Sequence, residues 1–139
     1  MRPAPSFTLQ NDLTNESCSL QQFSGQAVML TFWTSWCPDS RVDLALKQRL
    51  FQAMDQSKMQ MLMINVTARE RIEDLSAFVH EQGYTFPVLL DEGRTVYDLY
   101  KCQGVPTTIF INSQQEIESV LGDQASFQEV TEGLASLLK

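Results

Sequence analysis

The chain has 139 residues, 43% of them hydrophobic, which is the length and apolar content of one domain able to bury a core. Seventeen acidic residues against ten basic ones give a formal charge of -7 at pH 7, which opposes binding to nucleic acid or to anionic lipid. No apolar run reaches the ~20 residues that span a bilayer, no signal-peptide pattern opens the chain, and three scattered cysteines with one histidine, His80, argue against a disulfide scaffold and a metal site.

Ala27 to Trp33 form a nearly continuous apolar run of strand length, the pattern of a strand covered on both faces. Val42, Leu46, Leu50 and Met54 recur every four residues, with Leu44 and Phe51 seven apart, which predicts an amphipathic helix over residues 41–56 with a broad buried face. Residues 61–66 predict a second buried strand, and Met59, Met61 and Met63 alternate as core residues do along a strand. Thr67-Ala68-Arg69-Glu70 has the spacing of a capping box and is expected to open a helix that buries Ile72, Leu75, Phe78 and Val79 and stops at Gly83. His80 lies off that apolar stripe and is expected in solvent.

Residues 86–90 predict a short strand and residues 95–100 a short helix. Residues 106–112 and 116–121 predict two strands joined by the polar turn Ser113-Gln114-Gln115. Ser126-Phe127-Gln128-Glu129 is a second capping box, and Phe127, Val130, Leu134 and Leu137 make the closing helix amphipathic despite Gly133. A βαβ start followed by a hairpin and a helix implies an α/β sandwich: a central mixed β-sheet flanked by helices on both faces, in a single domain over residues 1–139.

Cys37 falls where the first long strand ends and the first long helix begins. A thiol there meets unpaired backbone N–H groups and the positive end of the helix dipole, both of which favour the reactive thiolate. Pro38, with no N–H to leave unsatisfied, suits the first helical position. Without further context, a lone cysteine after a strand is more often a small buried side chain.

That context is a resemblance. Phe32-Trp33-Thr34-Ser35-Trp36-Cys37-Pro38 resembles the active-site lead-in of the thioredoxin superfamily, most closely its TlpA-like and ResA-like branch. Ala4-Pro5-Ser6-Phe7-Thr8-Leu9 resembles the opening strand of that branch and Phe23-Ser24-Gly25-Gln26 its turn. Phe86-Pro87-Val88-Leu89-Leu90-Asp91 and Gly104-Val105-Pro106-Thr107-Thr108 resemble its later landmarks, in the same order. The resemblance implies a thioredoxin-like fold with an N-terminal β-hairpin extension, and a thiol-disulfide oxidoreductase acting on a disulfide-containing protein or a low-molecular-weight thiol. It also implies a cis Pro106 facing Cys37 and a substrate segment that pairs with the backbone of Val105. Trp36, beside Cys37, is expected on the substrate-facing surface, whereas Trp33 and Cys18 are expected to pack. No cofactor and no metal is implied, and the protein is expected to be a monomer.

One departure from the branch decides the chemistry. Ser40 stands where most members have a second cysteine, and a hydroxyl cannot attack a mixed disulfide, although it can donate a hydrogen bond to the Cys37 sulfur. Cys37 is therefore expected to attack alone, with an external thiol resolving the product. Asp39 suits the helix dipole yet disfavours a neighbouring thiolate. Cys102, four residues before Pro106, is the alternative resolving thiol; against this stands its reading as a buried packing residue. Glu70 is either a proton relay for Cys37 or, since it comes two residues later than the acidic position of the branch, the capping residue. Thr31 stands where thioredoxins carry a buried aspartate.

Three alternatives compete with monothiol exchange. The first is a redox-inactive binding module that presents the groove between Trp36 and Pro106 to peptides. The second is a thiol peroxidase, from the Thr34-Ser35-Trp36-Cys37 spacing, with Leu30 where that motif has proline. The third is a dithiol reductase in which Ser40 is an engineered replacement for cysteine. The chain as written is expected to be cytoplasmic; the branch implies as the alternative an extracytoplasmic protein, membrane-anchored or exported, whose N-terminal segment has been removed.

Overall fold

The computed structural model describes residues 2–139. Its strands are β1 (Arg2–Pro3), β2 (Thr8–Asn11), β3 (Ser17–Ser19), β4 (Ala27–Trp33), β5 (Met59–Asn65), β6 (Val88–Leu90), β7 (Thr107–Ile111) and β8 (Glu116–Leu121). The helices are α1 (Pro38–Ala53), α2 (Ile72–Gln82), α3 (Thr95–Leu99) and α4 (Phe127–Leu137). All the strands join one mixed sheet in the order β1-β8-β7-β4-β5-β6-β2-β3. β4, buried at every position, runs parallel to β5 and antiparallel to β7, as its continuous apolar run requires.

Alternation along the strands sends side chains to two cores. Met29, Trp33, Met59, Met61, Met63 and Phe110 face α1, α2 and α4, while Leu30, Phe32, Ile64 and Ile109 face α3, Leu20 and the N-terminal hairpin. The three alternating methionines and Trp33 are core, as expected, and Cys18 packs into the second cluster from β3. Gly83 caps α2 in the left-handed conformation, and Ser126 and Glu129 close the expected capping box on α4. Among the described residues no helix is long and apolar enough to cross a membrane.

Four expectations need correction. Residues 4–9 are not one opening strand: Arg2 and Pro3 pair with β8 at one edge, and the chain crosses to β2, which with β3 extends the opposite edge beyond β6. Pro3 and Pro5 have no N–H for a continuous ladder. The buried stripe of α1 runs through Ser40, Leu44, Lys47 and Gln48, while Val42 is 65% exposed, because the polar members of the stripe find partners inside. On α2, Ile72 is exposed and only Leu75 and Val79 are fully buried. Finally, Thr67 and Glu70 form no capping box: residues 67–69 make a 3-10 turn, Glu70 is extended, and α2 starts at Ile72 with no side-chain cap.

The topology brings four segments to one end of the sheet. They are the β4–α1 junction with Cys37, the turn after β5 with Glu70, the loop between β6 and α3, and the approach to β7 with Pro106.

Candidate functional site

Cys37 is the N-cap residue of α1, half-buried, with Pro38 at the first helical position. The Val105–Pro106 peptide bond is cis, and the Val105 carbonyl oxygen lies 3.8 Å from Cys37 Sγ, so the expected facing of Cys37 and the proline loop is present. Thr107 holds that loop by donating its hydroxyl to the Gly104 carbonyl at 2.6 Å. Trp36 is 52% exposed beside the thiol, whereas Trp33 is fully buried.

Ser40 is fully buried, and its hydroxyl accepts the Thr34 N–H at 3.4 Å. The partner of this hydroxyl is thus the backbone of the loop that precedes the cysteine rather than the Cys37 sulfur to which it could donate. Position 40 therefore braces the lead-in from below.

Glu70 braces it from the side. Its carboxylate accepts the Ser35 N–H at 2.7 Å, the Ser35 hydroxyl at 2.5 Å and the Asn65 side-chain amide at 2.8 Å. The Ser35 carbonyl accepts from Arg41 Nε at 2.6 Å, and the Arg41 guanidinium lies 5.0 Å from the centre of the Phe78 ring. Every polar group of Ser35 is thus held, two residues before Cys37. Of the two sequence readings of Glu70, the helix cap is not formed; after the 3-10 turn its carboxylate meets the active-site loop instead.

Cys102 packs with Tyr100 and Val105 in the second core, and no disulfide links the three cysteines. Burial pushes its thiol up to about 12, against a smaller lowering from its hydrogen bond with Thr107. Partial burial against the core and a raised thiol are features of a packing residue. Burial likewise raises Cys18, and His80 is exposed, as expected.

Sequence reasoning missed Lys47. Its side chain is fully buried where α1 crosses the sheet, donating to Thr31 Oγ1 at 2.8 Å and Thr108 Oγ1 at 2.6 Å, with Asp43 Oδ2 at 2.8 Å. Burial lowers its pKa, opposed by the Asp43 charge and its hydrogen bond. The one available signal was an i,i+4 Asp-Lys pair above two strand threonines. Among the described residues no cluster of His, Cys, Asp and Glu could hold a metal ion.

The AhpC/TSA family model matches residues 1–120. The thiol-disulfide oxidoreductase ResA of Halalkalibacterium halodurans is 32% identical over 117 residues, covering 84% of this chain and 65% of that protein. The thioredoxin-like protein YneN of Bacillus subtilis is 31% identical over 118 residues, covering 84% and 68%. The ResA of Oceanobacillus iheyensis is 31% identical, with 62% of its length matched, so the chain spans less than two thirds of these two ResA proteins. Among solved structures, StoA from Bacillus subtilis superposes with a TM-score of 0.80 at 24% identity, covering 96% of this chain and 99% of that one. A thiol-disulfide isomerase from Corynebacterium glutamicum gives 0.84 at 23%, covering 98% and 97%. The fold is thioredoxin-like, and the chain belongs to the AhpC/TSA family and, within the thioredoxin superfamily, to the ResA-like branch.

Proposed function

We propose that the protein is a thiol-disulfide oxidoreductase that works through Cys37 alone on disulfide-containing proteins. The Cys37 thiolate attacks one sulfur of a substrate disulfide, forming a Cys37–substrate disulfide and expelling the other sulfur as a thiolate. An external thiolate then attacks the substrate sulfur, restores Cys37 as leaving group and carries the substrate away as a new disulfide. One observation carries the reading: a partly exposed cysteine at a helix N-terminus has its sulfur 3.8 Å from the Val105 carbonyl, while position 40 offers a buried serine in place of a second thiol. Trp36 and the Val105 backbone would hold an extended substrate segment, and Glu70 acts as a positioning residue for the lead-in loop. Cys102, with its thiol raised to about 12, is a poor resolving nucleophile at neutral pH. The names of the relatives favour exchange over the peroxidase and binding-module readings.

The test is intact-mass spectrometry with tryptic mapping after incubation with oxidised glutathione under non-reducing conditions. The expected result is a glutathione adduct on Cys37 that persists until a thiol is added. Ser40→Cys should shed the adduct unaided and lose the mass of two hydrogens. An unmodified Cys37 would sink the proposal, and a Cys37–Cys102 bond in the wild type would give the resolving role to Cys102.

A further inference from the structure

A groove of about 220 Å³ opens beside the reactive cysteine. Trp36, Val66, Tyr97 and Val105 give it apolar walls, and Arg69 and Arg94 supply its charge. Trp36 precedes Cys37, and the Val105 carbonyl is the one 3.8 Å from the sulfur, so two residues that line the groove also adjoin the reactive thiol. Thr34 also lines it; that residue is 4% exposed, and its hydroxyl has no hydrogen-bond partner among the described residues.

The charge of the groove is opposite to that of the molecule. The chain carries a formal -7, yet among the described residues no acidic one lines the groove. Of the acids near it in sequence, Glu70 is spent on Ser35 and Asn65, Asp91 accepts the Val96 and Tyr97 N–H groups, Asp98 is bonded to Arg94, and Glu92 is exposed without lining the groove. Thr67 fixes the turn bearing Arg69 against the loop bearing Arg94, donating to the Asp91 carbonyl at 2.6 Å and accepting the Gly93 N–H at 3.0 Å. Arg94 lies 5.0 Å from the centre of the Tyr97 ring and pairs with Asp98, while Arg69 is exposed and has no ion pair among the described residues.

We infer that this groove selects disulfide-bonded peptide segments that carry an aspartate or glutamate next to the cysteine. The inference rests on the exchange reading. As Cys37 attacks, its new disulfide tethers the segment, the apolar walls receive the chain, and the neighbouring carboxylate meets Arg69 and the outer face of Arg94. The released half leaves as a thiolate, and no further reactant is needed.

The experiment uses symmetric disulfides of two capped dipeptides, N-acetyl-Cys-Glu-amide and its Cys-Gln counterpart, and follows formation of the Cys37 adduct by mass under pseudo-first-order conditions. The wild-type protein is expected to react roughly threefold faster with the glutamate peptide at low ionic strength, the scale of one exposed charge pair at Arg69 with a smaller share from Arg94, which is already paired with Asp98. The preference should shrink toward unity in 1 M salt, where screening acts within ~3 Å. Arg69→Gln should lose part of it and the Arg69→Gln/Arg94→Gln pair nearly all. Arg49→Gln, the same single charge change at a position on α1 that does not line the groove, should keep it. Equal rates in the wild type, or a preference that the double variant retains, would overturn the inference and leave the exchange reading standing. If neither peptide forms a Cys37 adduct, the exchange reading falls and takes the inference with it.

Discussion

Glu70 satisfies two donors of Ser35 and one of Asn65, so truncating it strands partly buried polar groups two residues before the reactive thiol. Glu70→Ala is expected to lower the unfolding free energy by about 2 kcal/mol, the scale for losing hydrogen bonds to a charged acceptor. Hydrogen exchange locates the effect: the Ser35 amide should lose protection, while the Leu75 amide, bonded to the Arg71 carbonyl at 2.9 Å, should keep it. A capping residue would give the reverse pattern, with the first turn of α2 opening first. The same four-residue signature occurs at positions 67–70 and 126–129, and only the second forms a capping box. Local spacing carries no information about Ser35, which competes for the Glu70 carboxylate from a distant part of the chain. Cys37, Trp36 and the proline loop were legible because a whole motif marks them; the braces around them were not, because each is a long-range contact.

At the scale of elements, α4 lies so close to β7 that a Cβ on Gly133 would stand 2.6 Å from Phe110 Cε2. Helix propensity alone favours Gly133→Ala by about 1 kcal/mol. The Phe110 ring that would have to shift is fully buried in the core, so the variant is instead expected to be destabilised by about 1–3 kcal/mol in urea denaturation, as overpacked cores are. A stabilised variant would mean the contact yields at no cost. From sequence, Gly133 looks like a flaw in an amphipathic helix; in the fold it is the close-approach point. α1 shows the same limit from the other side. Its four-residue apolar repeat set Val42 on the buried face, whereas the inward stripe includes Lys47, satisfied by Thr31 and Thr108, and Gln48, which exchanges two hydrogen bonds with Thr85. Periodicity locates a helix well and its inner face poorly when that face is partly polar.

For the molecule as a whole, Lys47 is the tie that joins α1 to both central strands, reaching Thr31 on β4 and Thr108 on β7, which are themselves paired across the sheet. The mixed sheet around it was legible from runs of apolar residues and polar turns; its strand order and the charge at its centre were not. That charge makes stability depend on pH in a definite direction. Burial holds the folded-state pKa of Lys47 below the value of about 10.4 expected in the unfolded chain, so between the two the unfolded state binds the proton more strongly. Stability therefore rises as pH climbs through that window, and below it the cost of the buried charge is felt in full. Lys47→Met removes the titration without removing the volume. In urea denaturations of both proteins at pH 7 and pH 10, the wild type is expected to gain on the variant as pH rises. The gain can be at most about 1.4 kcal/mol per pH unit, the limit for one proton, and other groups titrating in that range are shared and cancel in the difference. A difference that stays flat would mean that Asp43, 2.8 Å away and partly exposed, compensates the buried charge completely, and α1 would then be held to the sheet by an ion pair rather than by a lysine poised to lose its proton.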